Sequence, residues 1–91
     1  AREILEVFEE EPSPALRSEL VRTLGSLPSP VAQSGMGAAL TDEDSDVRIA
    51  ACQGLAAGGS DESVALLSQT IENDVSLDVR IAAVRSLASF Q

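Results

Sequence analysis

Histidine, tryptophan, tyrosine and lysine are all missing from this 91-residue sequence. Without histidine there is no imidazole to move protons near neutral pH and no histidine–carboxylate metal centre. Aromatic residues make up 2% of the chain, Phe8 and Phe90 alone, so the core must be aliphatic: Leu, Ile, Val and many Ala. Six arginines face 15 acids, for a net charge of −9. An acidic surface repels phosphate backbones and anionic lipid, which argues against nucleic acid and membrane and points to a protein or peptide, preferably basic. The single cysteine, Cys52, excludes an intrachain disulfide and fits a reducing, cytoplasmic setting. No apolar run approaches the roughly 20 residues needed to span a bilayer.

What is present is a repeat. Residues 46–57, DVRIAACQGLAA, share eight of twelve positions with residues 78–89, DVRIAAVRSLAS, at an offset of 32. A diverged third copy, ALRSELVRTLGS, lies at residues 15–26, 31 residues before the middle one. It keeps Arg17, with Leu16 in place of the valine and Leu24 in place of Leu55 and Leu87. Periodic units of this length are the signature of solenoids.

Each copy reads as a helix. Leu16, Leu20, Val21 and Leu24 fall at helical spacing, as do Val47, Ala51, Cys52 and Leu55, and Val79, Ala83, Val84 and Leu87. Ser13, Asp44 and Ser76 stand where N-caps belong, and Pro14 suits a first helical position. Second helices are predicted between them, over 30–41 with Met36 and Leu40 inward, and over 61–73 with Val64, Leu67 and Ile71 inward. Residues 1–10 match such a second helix. The expected organisation is an all-α, α-α superhelix of five to six helices: a half-repeat at 1–11, repeats at 12–43 and 44–75, and the first helix of a further repeat at 76–91. Without polar caps at either end, it is expected to be an excerpt from a longer array.

The pattern resembles the HEAT-like repeats first described in phycobilisome lyases, which carry a loop Asp, then Val-Arg, Ala-Ala and Leu. The matching residues are Asp42, Val47, Arg48, Ala50, Ala51 and Leu55, and again Asp74, Val79, Arg80, Ala82, Ala83 and Leu87. In the first copy Glu10 or Glu11 replaces the Asp, and Ser18-Glu19-Leu20 departs from Ile-Ala-Ala. The resemblance implies that Arg48 and Arg80 form a structural ladder with the loop acids Asp42 and Asp74. The competing reading, an anion-binding row of Arg17, Arg48 and Arg80, is weaker in so acidic a setting. The resemblance also suggests an alternative function, as an accessory subunit or domain of a phycobilin lyase or isomerase.

Other candidates reduce to structure. Asp42-Glu43-Asp44-Ser45-Asp46 alternates carboxylates like a calcium loop, but the positions that need Gly and Glu hold Val47 and Gln53. Gly35-Met36-Gly37 lacks the remaining elements of a phosphate loop. Cys52 has no His or Lys nearby in sequence and reads as a small apolar filler. The di-iron and DNA-glycosylase enzymes built on HEAT-like repeats need His-Glu motifs or a basic aromatic groove, and neither occurs here. No catalytic residue, metal ligand or cofactor is expected.

If the second helices line the concave face, their outward side carries Glu3, Glu6 and Glu10, then Val31, Gly35, Ala38 and Asp42, then Glu62, Leu66, Gln69 and Asn73. This strip is the expected contact surface of a non-catalytic protein–protein interaction scaffold.

Overall fold

The computed structural model describes residues 12–25, 30–58 and 61–89, which form five α-helices and no strand. They are α1 (Pro14–Gly25), α2 (Pro30–Ala39), α3 (Ser45–Gly58), α4 (Asp61–Asn73) and α5 (Leu77–Ala88). The predicted half-repeat at 1–11 lies outside the described residues. The first helices α1, α3 and α5 each open on a cap at the equivalent place. Ser13 Oγ accepts from the Leu16 N–H at 3.4 Å, Asp44 Oδ1 from the Asp46 N–H at 2.9 Å, and Ser76 Oγ from the Val79 N–H at 3.4 Å. Each cap satisfies one of the orphan donors of a first turn. Helix α2 stops two residues before the predicted 41. There the N–H groups of Thr41 and Asp42 bond back only three residues, to Ala38 and Ala39, and tighten the chain into a turn.

The architecture is an all-α solenoid of helical hairpins. The heaviest packing joins α1 to α3 and α3 to α5, so the first helices stack as a continuous row. Helix α2 rests against both α1 and α3, and α4 packs more on α5 than on its own hairpin partner α3. The second helices α2 and α4 hardly touch one another.

Why the row is so close follows from its side chains. The core holds Val21, Leu24, Met36, Ala39, Val47, Ala50, Ala51, Cys52, Leu55, Leu67, Val79 and Ala83, all at most 1% exposed. Four of these twelve are alanine, and buried alanine holds side chains apart by only a methyl. Closest of all is the crossing of Gly25 on Gly54, where a Cβ on Gly25 would sit 2.5 Å from the Gly54 Cα. The Met36 thioether fills the space beside Gly54, an adaptable side chain in an irregular gap. Two of the buried hydroxyls are satisfied within their own helices: Ser18 donates to the Pro14 carbonyl and Thr70 to that of Leu66, both at 2.9 Å.

A first helix inside the row has two buried faces, and one at its edge has one. In α3 both are covered, so Val47, Ala50, Ala51, Cys52, Gly54 and Leu55 are all buried. In α1 the buried residues, Ser18, Val21, Leu24 and Gly25, lie on the side that meets α2 and α3. Leu16, equivalent to Val47, is 46% exposed. In α5 only the face toward α3 and α4 is covered, by Val79, Ala83 and Ser86, and Val84, equivalent to Cys52, is 50% exposed. The periodicity that assigns Leu16 and Val84 inward is therefore corrected by their place in the stack. Val64 is likewise 40% exposed, and its helix turns Ser63, Leu67 and Thr70 inward instead.

Candidate functional site

Two features have the geometry to matter: a line of ion pairs along the loops and a groove between the second helices. Both grow out of the repeat.

Arg17 sits one turn into α1 and points at the loop that precedes α3. Its Nε and Nη2 donate to Oδ2 and Oδ1 of Asp42 at 3.0 and 3.1 Å, and its Nη1 donates to the Pro12 carbonyl at 2.8 Å. Arg48 repeats the arrangement one unit on. Its Nε and Nη2 donate to Asp74 at 2.9 and 3.3 Å, and its Nη1 to the Asp42 carbonyl at 2.8 Å. Asp42 thus takes Arg17 on its carboxylate and Arg48 on its carbonyl, which links the pairs into one line. Each Asp also accepts the N–H two residues on, Asp44 for Asp42 and Ser76 for Asp74, both at 2.9 Å. These side chains keep only about a tenth of their exposure, 9–12%. The hydrogen bond and the charge of Asp42 raise the guanidinium of Arg17 above its ordinary range, so it stays ionised.

Among the predicted ladder residues the structure joins Asp42, Arg48 and Asp74. Arg80 stands apart: its Nε donates to the Ile71 carbonyl at 2.8 Å, and no described carboxylate meets it. The residue that completes the line is Arg17. Its signal was the apolar-Arg pair shared by all three copies, masked by the divergence of Ser18-Glu19-Leu20 beside it.

The groove exists because α2 and α4 splay. It has a volume of about 320 Å³ and is lined by Gly37, Leu40, Leu66, Gln69 and Asn73 among others. Leu66 is half-buried against the core and forms the apolar floor with Gly37. Gln69 and Asn73, one turn apart on α4, are exposed, and their amides make no hydrogen bond within the described residues. An amide offers a donor and an acceptor together, the complement of a peptide unit.

Of the predicted strip, Leu66, Gln69 and Asn73 come together in this groove, whereas Asp42 is taken into the ion-pair line instead. Ala38 and Glu62 are exposed but outside its lining. Gly35 is buried, so it is removed from the contact surface: the small residues of α2 draw its backbone into the packing. Glu3, Glu6, Glu10 and the Val31 side chain lie outside the described residues. Gly37, Leu40, Thr41, Thr70 and Asp74 complete the lining, and a helix of small residues carries too little periodicity to announce the first two.

With hairpins, ladder and groove in view, the comparison with known families is decisive. The family model for HEAT repeats matches residues 1–88. The chain belongs to the HEAT repeat family. The match is to HEAT repeats as a class and does not single out the phycobilisome lyase type. No curated protein matches the sequence.

The one thiol of this HEAT-repeat chain is held out of reach. Among the described residues no three His, Cys, Asp or Glu side chains gather where they would hold a metal ion, and no helix is long and apolar enough to cross a membrane. Cys52 is fully buried. Burial, reinforced by the negative charge of Asp74, pushes its thiol up to about 11. At pH 8 roughly one thiol in a thousand is then ionised, and the thiolate is the reactive form. Iodoacetamide is therefore expected to leave Cys52 unlabelled in the native protein over a period that labels it fully in urea. Native labelling at the denatured rate would mean that α3 opens freely.

Proposed function

We propose that this chain is a non-catalytic scaffold that binds a basic or amphipathic protein segment in the groove between α2 and α4. The observation that carries this reading is the pairing of an apolar floor, Gly37 and Leu66, with the uncommitted amides of Gln69 and Asn73. An extended segment can place a small apolar side chain on Leu66 and bond its backbone to the amides, while its basic residues meet a chain of net charge −9. The scaffold reading is also supported by how the most ordered polar groups are used. Arg17, Arg48, Asp42 and Asp74 hold one another, and Cys52 is buried and protonated.

Selection of a displayed peptide library against the protein tests this. Enriched peptides are expected to carry Arg or Lys beside an apolar residue. Leu66→Ala and Gln69→Arg should each weaken them by about tenfold, the loss of one good contact. Peptides that bind both variants as tightly as the parent chain would place the interaction elsewhere.

A further inference from the structure

We infer, on the reading that the α2–α4 groove is the binding site, that Glu62 sets the charge preference of the bound segment. It selects an arginine or lysine two positions from the apolar residue that rests on Leu66. Every described arginine, Arg17, Arg22, Arg48, Arg80 and Arg85, stands on a first helix. No base occurs anywhere in residues 23–47 or 49–79, the stretches that hold α2 and α4. The charged side chains of α4 are all acidic, Asp61, Glu62 and Glu72, and all three are exposed. Arg48 comes near the groove only through Asp74, whose charge it neutralises. A segment lying along the second helices must therefore bring the bases itself.

Among the three acids, helix geometry singles out Glu62. At about 100° per residue it falls within about 40° of Leu66, whereas Asp61 is about 140° away and Glu72 about 120°. Glu62, Leu66, Gln69 and Asn73 thus share one stripe of α4. The groove follows this helix from Leu66 to Asp74. Glu62 stands at its open end, one turn or about 6 Å beyond the apolar floor. No partner meets its carboxylate among the described residues. An extended segment presents side chains to one face every second residue, about 7 Å apart. That step matches the distance from Leu66 to Glu62. An apolar side chain on Leu66 then sets the residue two positions away against the carboxylate, while the backbone beyond passes Gln69 and Asn73.

A first-turn acid also favours the dipole of its own helix. Asp61 supplies the same charge one residue earlier, on another side of α4, and so serves as the control.

Selection of displayed peptides against the parent chain, Glu62→Arg and Asp61→Arg tests the assignment. The two variants change the net charge alike, and both put a base in the first turn of α4. Parent-selected peptides are expected to carry Arg or Lys with one residue between it and the apolar residue. Glu62→Arg should weaken those peptides by about tenfold, and selection on it should replace the base by Asp or Glu. Selection on Asp61→Arg should keep the base. Circular dichroism monitors folding; if Glu62→Arg lowers helicity, Glu62→Gln is substituted, with the preference for a base lost rather than reversed. A base retained on Glu62→Arg, while Leu66→Ala still weakens binding, overturns the assignment and leaves the groove standing. A preference erased equally by Asp61→Arg overturns it as well, since overall charge then accounts for it. Peptides indifferent to Leu66→Ala remove the groove and the role of Glu62 together.

Discussion

Gly25→Ala is expected to destabilise the fold by about 2 kcal/mol, lowering the melting temperature by roughly 8–16 °C for a chain of this size. Two effects oppose one another. Alanine is the better helix former by about 0.5–1 kcal/mol. Against that, the new Cβ would lie 2.5 Å from the Gly54 Cα and 3.4 Å from its carbonyl carbon. Those atoms are backbone, so no rotamer change relieves the clash, and α1 and α3 must separate along the most extensive contact in the structure. Overpacking of this kind costs about 1–3 kcal/mol and more where the backbone must shift, so it outweighs propensity.

The other helical glycines turn that single figure into a graded test. A Cβ on Gly54 would strike the Met36 sulfur, the far end of a flexible side chain, and sit 3.3 Å from the Gly25 Cα. Met36 can yield, though it is fully buried, so Gly54→Ala is expected to fall between Gly25→Ala and the parent chain. At Gly37 the nearest neighbour is the Leu66 Cδ1 at 3.8 Å, an ordinary contact. There propensity acts unopposed, and Gly37→Ala should stabilise by up to about 1 kcal/mol. Urea denaturation of the three variants checks the order. Equal stabilisation by all three would show that the α1–α3 crossing is looser than described.

This crossing marks the limit of what the sequence discloses. The hairpins, the caps and the aliphatic core could all be read from the chain, because each depends on residues near in sequence or on the repeated register. Gly25 and Gly54 belong to separate units and carry no side chain to create a periodic signal. Their meeting emerges only once α1 lies on α3. Leu16 and Val84 fail for a related reason: helical spacing shows which residues share a face, but not whether another helix covers it. Gly35 illustrates the converse, since a helix wheel places it outward while close packing buries it. At the site, Leu66 and Gln69 were legible because α4 is amphipathic in the ordinary way. Gly37 and Leu40 were not, because the groove is made by the splay of two helices rather than by a motif in either.

Arg48→Met is expected to cost about 3 kcal/mol, the lower end of the range for breaking one side of a buried ion pair. The lower end applies because both partners retain some solvent contact, 12% for Arg48 and 9% for Asp74. The loss is more than a Coulomb interaction. Three donors vanish at once, leaving the Asp74 carboxylate with the Ser76 N–H alone and the Asp42 carbonyl without its guanidinium. Arg48→Lys should recover only part of the difference, since one ammonium cannot meet both oxygens of Asp74 and the Asp42 carbonyl in the planar arrangement of a guanidinium. Arg80 supplies the control, for it carries the same local motif, Val-Arg-Ile-Ala-Ala, but donates to one exposed carbonyl. Arg80→Met is expected to stay within about 0.5 kcal/mol, as surface substitutions usually do. The contrast separates two explanations for the repeated arginine. If the residue serves its own helix, the two substitutions should cost the same. If it joins one unit to the loop of the next, only Arg48→Met should be severe, and a double-mutant cycle with Asp74→Asn should show coupling of at least about 1 kcal/mol. Equal, small effects at both positions would reduce the ladder to a surface ornament and leave the stack to its alanines and glycines.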